Sequence, residues 1–375
     1  MKILHVLPGL NPRSGGPVRS VTGLCRGLAK GGVNTVLFVH SPEYLLVEPI
    51  TVRFLVGRGI GLGTIIRDAI HVMDEIKPDI IHVHGIWMLS NHVWVRIARK
   101  KEMPCILSTR GMLDPWALMQ KSLKKKLALW LYQRRDLKAV TCFHATAEQE
   151  VLNIRAQRMP QPIIMIPNGV ELPSEKLPIR KKTGRKKIAL FLSRLHPGKG
   201  LMELVSAWRL VAPKDWKMRV VGPDVCRYRA VVEKRIERLG LQDDFEFIGE
   251  LDDKAKWQEY VNADLFIHPS HSENFGVSIA EALAAGVPVI TTKGTPWKEL
   301  EFEQCGWWID IGVEPLVNAL REAMSLTDEQ RRMMGENGRH LVESKYTWPA
   351  IAEQMRQSYE WVVYGGEKPT CVRMR

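Results

Sequence analysis

Short apolar runs alternate along this chain with longer segments whose apolar residues recur at helical spacing. This is the pattern of repeated β-α units feeding a mainly parallel sheet. In the first half the runs predict strands at 3–7, 35–39, 80–83, 105–108 and 142–145. The stretch 171–187 breaks the alternation with two prolines, a glycine and a dense run of Lys and Arg, and reads as an exposed linker. The alternation restarts at 188–193 and continues through 218–221, 245–248, 265–268 and 287–291. The expected architecture is α/β, with two Rossmann-like domains at 1–172 and 188–347 facing each other across a cleft. Residues 173–187 join them, and 348–375 supply a terminal helix that crosses back to the first domain. Open sheets of this kind bind ligands at the carboxyl ends of their strands, so functional motifs are expected just after strands.

Composition narrows the class. The chain has 375 residues, 45% hydrophobic and 25% charged, which excludes disorder and allows two substantial cores. No stretch approaches the roughly 20 apolar residues of a membrane span, and the apolar run at 3–7 is too brief for a secretory signal. Six cysteines lie far apart with no Cys-x-x-Cys pair, which argues against a zinc cluster or disulfide framework and fits the cytoplasm. Charge is uneven within a net +13. Residues 1–172 carry 23 Lys and Arg against 12 Asp and Glu, whereas everything after 187 carries 24 against 28. The basic half calls for an anionic partner: nucleic acid, anionic lipid or a phosphorylated acceptor.

Three motifs carry chemistry. Ser14-Gly15-Gly16-Pro17 follows the first strand and opens a helix, whose N-terminus carries about half a positive charge suited to a diphosphate. An ordinary strand-to-helix turn is the plainer alternative. Next, Arg194 and Lys199 straddle a Pro-Gly turn at a strand end, so both can point into one space. The planar fork of Arg and the mobile charge of Lys suit a departing pyrophosphate. The most informative segment runs from Leu265 to Val289. There a strand ends in a polar loop, with Glu273 in the loop and Glu281 one turn inside the following helix. The amides of Asn274, Phe275, Gly276 and Val277 lie at that helix N-terminus. Two carboxylates at different heights on one corner can accept hydrogen bonds from vicinal hydroxyls such as those of a ribose. The alternative is a surface Glu and an unrelated loop Glu.

Taken together, these motifs resemble a retaining glycosyltransferase of the GT-B fold, in glycosyltransferase family four. The order matches over nearly the whole length: Gly15-Gly16, the 78–85 segment ending His84-Gly85, His144 to Glu148, Ile166 to Val170, the Arg194/Lys199 turn, Val221 to Asp224, Phe247 to Gly249, and Glu273 with Glu281. The resemblance implies that Arg194 and Lys199 bind the donor diphosphate, that Glu281 binds the ribose, and that Glu273 with the amides of 274–277 binds the donor sugar. Gly15 and Gly16 join the donor side; His144 falls on the acceptor or sugar side. Many relatives carry a His-Gly after the fourth strand, where this chain has Arg110-Gly111. Arg110 stays protonated and so cannot be a general base. It is left to meet a phosphate or an acceptor carboxylate, or to be a structural Arg satisfied by a nearby acid.

No Asp-x-Asp occurs, and His82, His84, His268 and His271 form no convincing metal constellation, so no metal and no cofactor are expected. The segment 114–135 predicts one basic amphipathic helix, with Asp114 as N-cap and Pro115 at the first position. Trp116, Met119, Leu123, Leu127 and Trp130 form its apolar stripe, with Lys121, Lys124, Lys125 and Lys126 around it. It suits an anionic membrane surface, or else a core-facing helix with a solvated basic back. The expected function is hexosyl transfer from a nucleotide-diphosphate sugar to a glycan or lipid-linked acceptor in bacterial surface polysaccharide synthesis, at the inner face of the cytoplasmic membrane. A sugar-nucleotide 2-epimerase of the same fold is the alternative. Nucleic-acid binding is not expected, because the basic residues lack an array of exposed aromatics.

Overall fold

The computed structural model describes residues 1–10, 16–41, 53–56, 61–120, 122–172, 186–225 and 227–374. The strands are β1 (Lys2–Gly9), β2 (Asn34–Ser41), β3 (Arg53–Val56), β4 (Ile80–His84), β5 (Cys105–Ser108), β6 (Cys142–Ala145), β7 (Ile163–Met165), β8 (Lys187–Leu192), β9 (Trp216–Val221), β10 (Phe245–Gly249), β11 (Leu265–His268), β12 (Val289–Thr292), β13 (Gly306–Ile309) and β14 (Val372–Arg373). The apolar runs at 105–108, 142–145 and 265–268 are β5, β6 and β11 to the residue. β3, β7, β13 and β14 have no counterpart in the sequence reading, being short or half-buried. Of the linker, 173–185 lie outside the described residues, while Lys187 belongs to β8 and donates its amide to Asp215 O (2.7 Å).

The chain divides into two compact units, one of Met1–Gly169 with Trp348–Arg375 and the other of Val170–Thr347. In the N-terminal unit the sheet order is β14-β7-β6-β5-β4-β1-β2-β3, parallel except for β14. In the C-terminal unit it is β10-β9-β8-β11-β12-β13, all parallel. Each order reverses once, between β1 and β4 and between β8 and β11. A ligand crevice opens at such a switch point, because the connections leave it in opposite directions.

Alternation along the strands separates two buried faces. Leu4, Val6, Ile81 and Val83 pack with Trp94 and Phe143 on one face of the first sheet. Ile3, Ile80 and Ile106 pack on the other with Leu24 and Leu28 of the helix Gly16–Lys30 and with Met355 and Tyr359 of the helix Trp348–Tyr364. Those two helices interlock around Trp348. A Cβ on Gly23 would lie 2.1 Å from its ring, and one on Gly169 2.5 Å. In the second unit Phe191 packs with Trp208 on one face, and Phe266 with Tyr260 and Leu283 on the other.

Candidate functional site

At the β8/β11 switch point two loops are laced together. After β8 the chain makes one 3-10 turn, Pro197–Lys199, and Gly200 takes φ +71°, where a Cβ would sit 2.0 Å from Pro269 O. Only glycine fits there. His271 N and Ser270 Oγ both donate to Gly198 O, at 2.9 and 3.1 Å. The turn is thereby held against the loop that carries Glu273. Lys199 Nζ lies 2.5 Å from Glu273 Oε1, and His268 Nε2 donates to the same oxygen at 2.7 Å. Burial pushes the Glu273 pKa up, but the Lys199 ammonium and the His268 hydrogen bond outweigh it and hold the carboxyl well below its ordinary range. Arg194 is exposed and makes no hydrogen bond or ion pair among the described residues. Burial, then the charges of Lys199 and Arg194, lower the pKa of His196, so both cations act on one neighbourhood. An ammonium has three donors and Lys199 spends one on Glu273, which leaves it able to meet an anion.

The helix that follows, Val277–Ala284, is entered through Gly276 at φ +82°, with no side-chain cap and no acid in its first turn. Phe275 is buried against Trp297 and Tyr346, and its carbonyl accepts from Trp297 Nε1 (2.5 Å), which fixes the loop. Glu281 is 7% exposed, which rules out the surface-Glu alternative. Its Oε1 accepts from Lys256 Nζ (2.6 Å) and its Oε2 from Tyr260 OH (2.9 Å). Sequence reasoning passed over Lys256 and Tyr260. They stand four apart on the helix Asp253–Asn262, a spacing that puts both on one face.

At the β1/β4 switch point the register does the assembling. His5 pairs with His82 across β1 and β4, His84 with Ser108 across β4 and β5, and Ser108 with His144 across β5 and β6. All four histidines are buried. Their tautomers follow from partners that can play only one role. His144 Nε2 must donate to Ile166 O (2.9 Å), so its Nδ1 accepts from Ser108 Oγ (2.7 Å). Ser108 then accepts from His82 Nε2 (2.7 Å), and His82 Nδ1 accepts from Tyr359 OH (2.6 Å). Arg110 Nη2 can only donate, so His84 Nδ1 accepts from it (3.0 Å) and His84 Nε2 donates to His5 Nδ1 (3.0 Å). The remaining His5 Nε2–H is buried without a partner. Burial, reinforced by the Arg110 charge, lowers the pKa of His5 and of His144 to about 3, and of His82 and His84 well below the ordinary value. His5, His82 and His84 offer nitrogens within 4.8 Å of one another. All but His5 Nε2, which carries a hydrogen in this tautomer, are spent on one another, on Ser108, on Tyr359 and on the Arg110 guanidinium, which does not suit a cation. His144 has both ring nitrogens engaged and orients the cluster, leaving none for a substrate.

Arg110 has φ +54°, in the left-handed region. Its Nη1 donates to Ser20 Oγ (3.2 Å) and Asn168 Oδ1 (3.1 Å). The acid nearby is Glu150, missed in the sequence, and it does not pair with Arg110. Glu150 Oε1 accepts from Thr109 Oγ1 (2.6 Å) and Gly111 N (2.8 Å), on either side of Arg110, and its Oε2 from Thr146 N (2.8 Å) and Thr146 Oγ1 (3.2 Å). It clamps the backbone on either side of Arg110 and meets the guanidinium only through space, not by a hydrogen bond. Its position at the third residue of the helix Glu148–Ala156, reaching back to the preceding loop, was the available signal. Gly16 begins the helix Gly16–Lys30 and faces open space, where a Cβ would meet nothing within 4 Å. Gly15 lies outside the described residues.

The single helix expected over 114–135 is broken. Asp114 does cap Pro115–Met119, accepting from Trp116 N (2.9 Å), but Gln120 is extended, at φ −70° and ψ 123°. Helix resumes at Ser122–Ala128, widens into a π-turn at Leu129–Gln133 and ends in Arg134–Ala139. Lys121 lies outside the described residues. The apolar stripe does not face the core: Trp116, Met119, Leu127 and Leu131 are exposed, Leu123 to 81% and Trp130 to 78%. Gln133 Oε1 accepts from Trp87 N (3.0 Å), whose φ is +75°, and Tyr132 OH donates to Trp87 O (3.1 Å). These bonds tie the segment to the loop after β4. Among the described residues no helix is long and apolar enough to cross a membrane.

Residues 174–341 match the family described as glycosyl transferases group 1, and residues 15–169 match the glycosyl transferase 4-like domain. The chain belongs to this glycosyltransferase family, and its fold is that of the GT-B enzymes. It is 25% identical over 302 residues to a GDP-mannose-dependent alpha-mannosyltransferase of Mycolicibacterium smegmatis, an overlap of 78% of this chain and 76% of that protein. It is also 25% identical over 317 residues to the GDP-mannose:cellobiosyl-diphosphopolyprenol alpha-mannosyltransferase of Xanthomonas oryzae, covering 81% of each. Among solved structures it resembles the sucrose-phosphate synthase of Thermosynechococcus elongatus, with TM-score 0.80 and 22% identity over 97% of this chain and 100% of that one. It also resembles Anabaena HepE in complex with UDP and glucose, with TM-score 0.76 and 19% identity over 96% of this chain and 99% of that one.

Proposed function

We propose that the chain transfers a hexosyl unit from a nucleotide-diphosphate sugar to a hydroxyl of a glycan or lipid-linked acceptor, with retention at the anomeric carbon and without a metal. In this reading the product enters a bacterial surface polysaccharide such as O-antigen, capsule or exopolysaccharide. The carrying observation is the laced corner at β8/β11, where Lys199 is held on Glu273 and Arg194 is exposed and unpaired among the described residues. As the bond between sugar and diphosphate breaks, charge collects on the leaving phosphate. Arg194 and Lys199 stand ready to meet it without reorganising. Glu281, pinned by Lys256 and Tyr260, takes the ribose hydroxyls; Glu273 and the amides of 274–277 take the sugar. Gly15 and Gly16 belong to the donor side, and Arg110 to the acceptor side, with His144 behind it.

The GDP-mannose and UDP named for two of the similar proteins support a nucleotide-sugar donor, and the diphosphopolyprenol of the Xanthomonas enzyme supports a lipid-linked acceptor. A calorimetric titration with uridine, guanosine and adenosine diphosphates tests the donor site. One of them should bind, and Lys199→Ala should weaken it; binding indifferent to that change sinks the assignment. The product's anomeric configuration by NMR decides retention, and release of an epimerised nucleotide sugar would favour the 2-epimerase instead. The exposed stripe 116–131, with Lys124, Lys125 and Lys126 beside it, docks on the anionic inner face of the cytoplasmic membrane in this reading. Flotation with phosphatidylglycerol vesicles should carry the chain up, and Leu123→Ser/Trp130→Ser should leave it in the load.

A further inference from the structure

We propose that the β1/β4 switch point holds a binding site for an oxyanion of the acceptor, with Arg110 as the cation that receives it. The inference rests on the acceptor reading of the N-terminal unit and goes further by fixing the acceptor's charge. The groups that accept hydrogen bonds from Arg110 are all uncharged, Ser20 Oγ, Asn168 Oδ1 and the neutral His84 Nδ1, and the Glu150 carboxylate acts on it only through space. Three contacts from five N–H donors leave two unused, and Nε is one of them. No carboxylate pairs with Arg110 among the described residues, and the adjacent Glu150 has both oxygens committed to Thr109, Gly111 and Thr146. Nor can the histidines supply a countercharge, since an imidazole is either neutral or positive. A partly buried guanidinium in this setting is unusual, because desolvating a cation without an anion is costly.

The architecture preserves that charge at some expense. Glu150 fixes the two residues flanking Arg110, which holds it in a left-handed conformation that costs about 1 kcal/mol or more for a side chain of this size. Arg110 remains partly exposed as a residue, at the carboxyl ends of β4 and β5, where open sheets take their ligands. Beside it, Ser20 lies in the first turns of the helix Gly16–Lys30, which has no acid in its first turn to compete for an anion. A phosphate or carboxylate oxygen is the chemistry that completes such a site. An acceptor bearing one is positioned by that charge, while its hydroxyl is the group that reacts.

The test isolates this cation from the donor-side pair. In the chain carrying Arg194→Gln and Lys199→Gln, inorganic phosphate is titrated and followed by phosphorus-31 linewidth, with acetate as the carboxylate arm. Phosphate or acetate should still bind, and adding Arg110→Gln should weaken whichever binds by about tenfold or more. Arg110→Lys, which restores charge without the guanidinium bonds, should bind more tightly than Arg110→Gln at equal melting temperature. Equal affinity with and without Arg110→Gln overturns the proposal, and so does equal loss in the Lys and Gln variants, which marks a structural role. Nucleoside diphosphate binding by the unaltered chain is measured in parallel. If that fails, the donor reading falls while the phosphate result for Arg110 stands on its own.

Discussion

At its switch point the C-terminal unit gathers charges in pairs, Lys199 with Glu273 and, close by in the fold, Lys256 with Glu281. The N-terminal unit gathers four neutral histidines around one cation that has no carboxylate partner among the described residues. Both clusters sit at the carboxyl ends of parallel strands, so topology does not separate them; the source of order does. Paired charges hold each other in place, and a ligand must share them. A chain of neutral imidazoles is held by proton placement alone, and it leaves its single charge free for a ligand.

The widest gap between the two should open with pH. An unfolded histidine binds a proton below about 6.5, whereas burial holds His5 and His144 at about 3 and His82 and His84 well below the ordinary value. Below 6.5 the unfolded state therefore takes up more protons, and each histidine withdraws about 1.4 kcal/mol per pH unit until its folded value is reached. Glu273 has a depressed pKa, so its contribution is intact above about 4.3 and fades only below that. Hydrogen exchange, corrected for its intrinsic pH dependence, should show the N-terminal unit loosening between pH 6 and 4.5 while the loop around Glu273 stays protected. Simultaneous loosening would erase the distinction.

Removing half of a buried pair should come next. Glu281→Ala leaves the buried Lys256 ammonium with only the exposed Asp253 (3.3 Å) and should cost about 3 kcal/mol in urea denaturation, with most of it regained in Lys256→Met/Glu281→Leu. Lys199→Ala should lower kcat about 100- to 1000-fold, in the range for a preorganised transition-state donor, as read by steady-state kinetics. Smallest is Glu150→Gln. It replaces an acceptor oxygen with an amide donor facing donors already in place, and should cost about 1–3 kcal/mol in stability while nucleoside diphosphate affinity is unchanged. A fall in that affinity would show that the two sites are not independent.

The sequence exposed the C-terminal site because its pieces are local. Arg194 and Lys199 flank one turn, and Glu273 and Glu281 flank one helix start, so spacing alone places them. The histidine cluster was invisible for the opposite reason. It requires β1 to lie beside β4 in one register, and no window of the sequence holds both His5 and His82. Lys256 and Tyr260 reach Glu281 from a helix more than twenty residues earlier, and Glu150 reaches Arg110's neighbours across two strands. The stripe on 114–135 was readable as a stripe, but its break at Gln120 was not, because nothing in the residue types there stops a helix.

The helix Trp348–Tyr364 has a consequence for how the chain is made. Tyr359 donates to His82, and Trp348 fills the space left by Gly23 and Gly169, so the N-terminal unit lacks a layer until these residues leave the ribosome. Every residue of the C-terminal unit has been synthesised by then. The half that is translated first is thus the half that finishes folding last, and a nascent chain that has emerged from the ribosome only as far as residue 347 would hold a completed C-terminal unit beside an open N-terminal one.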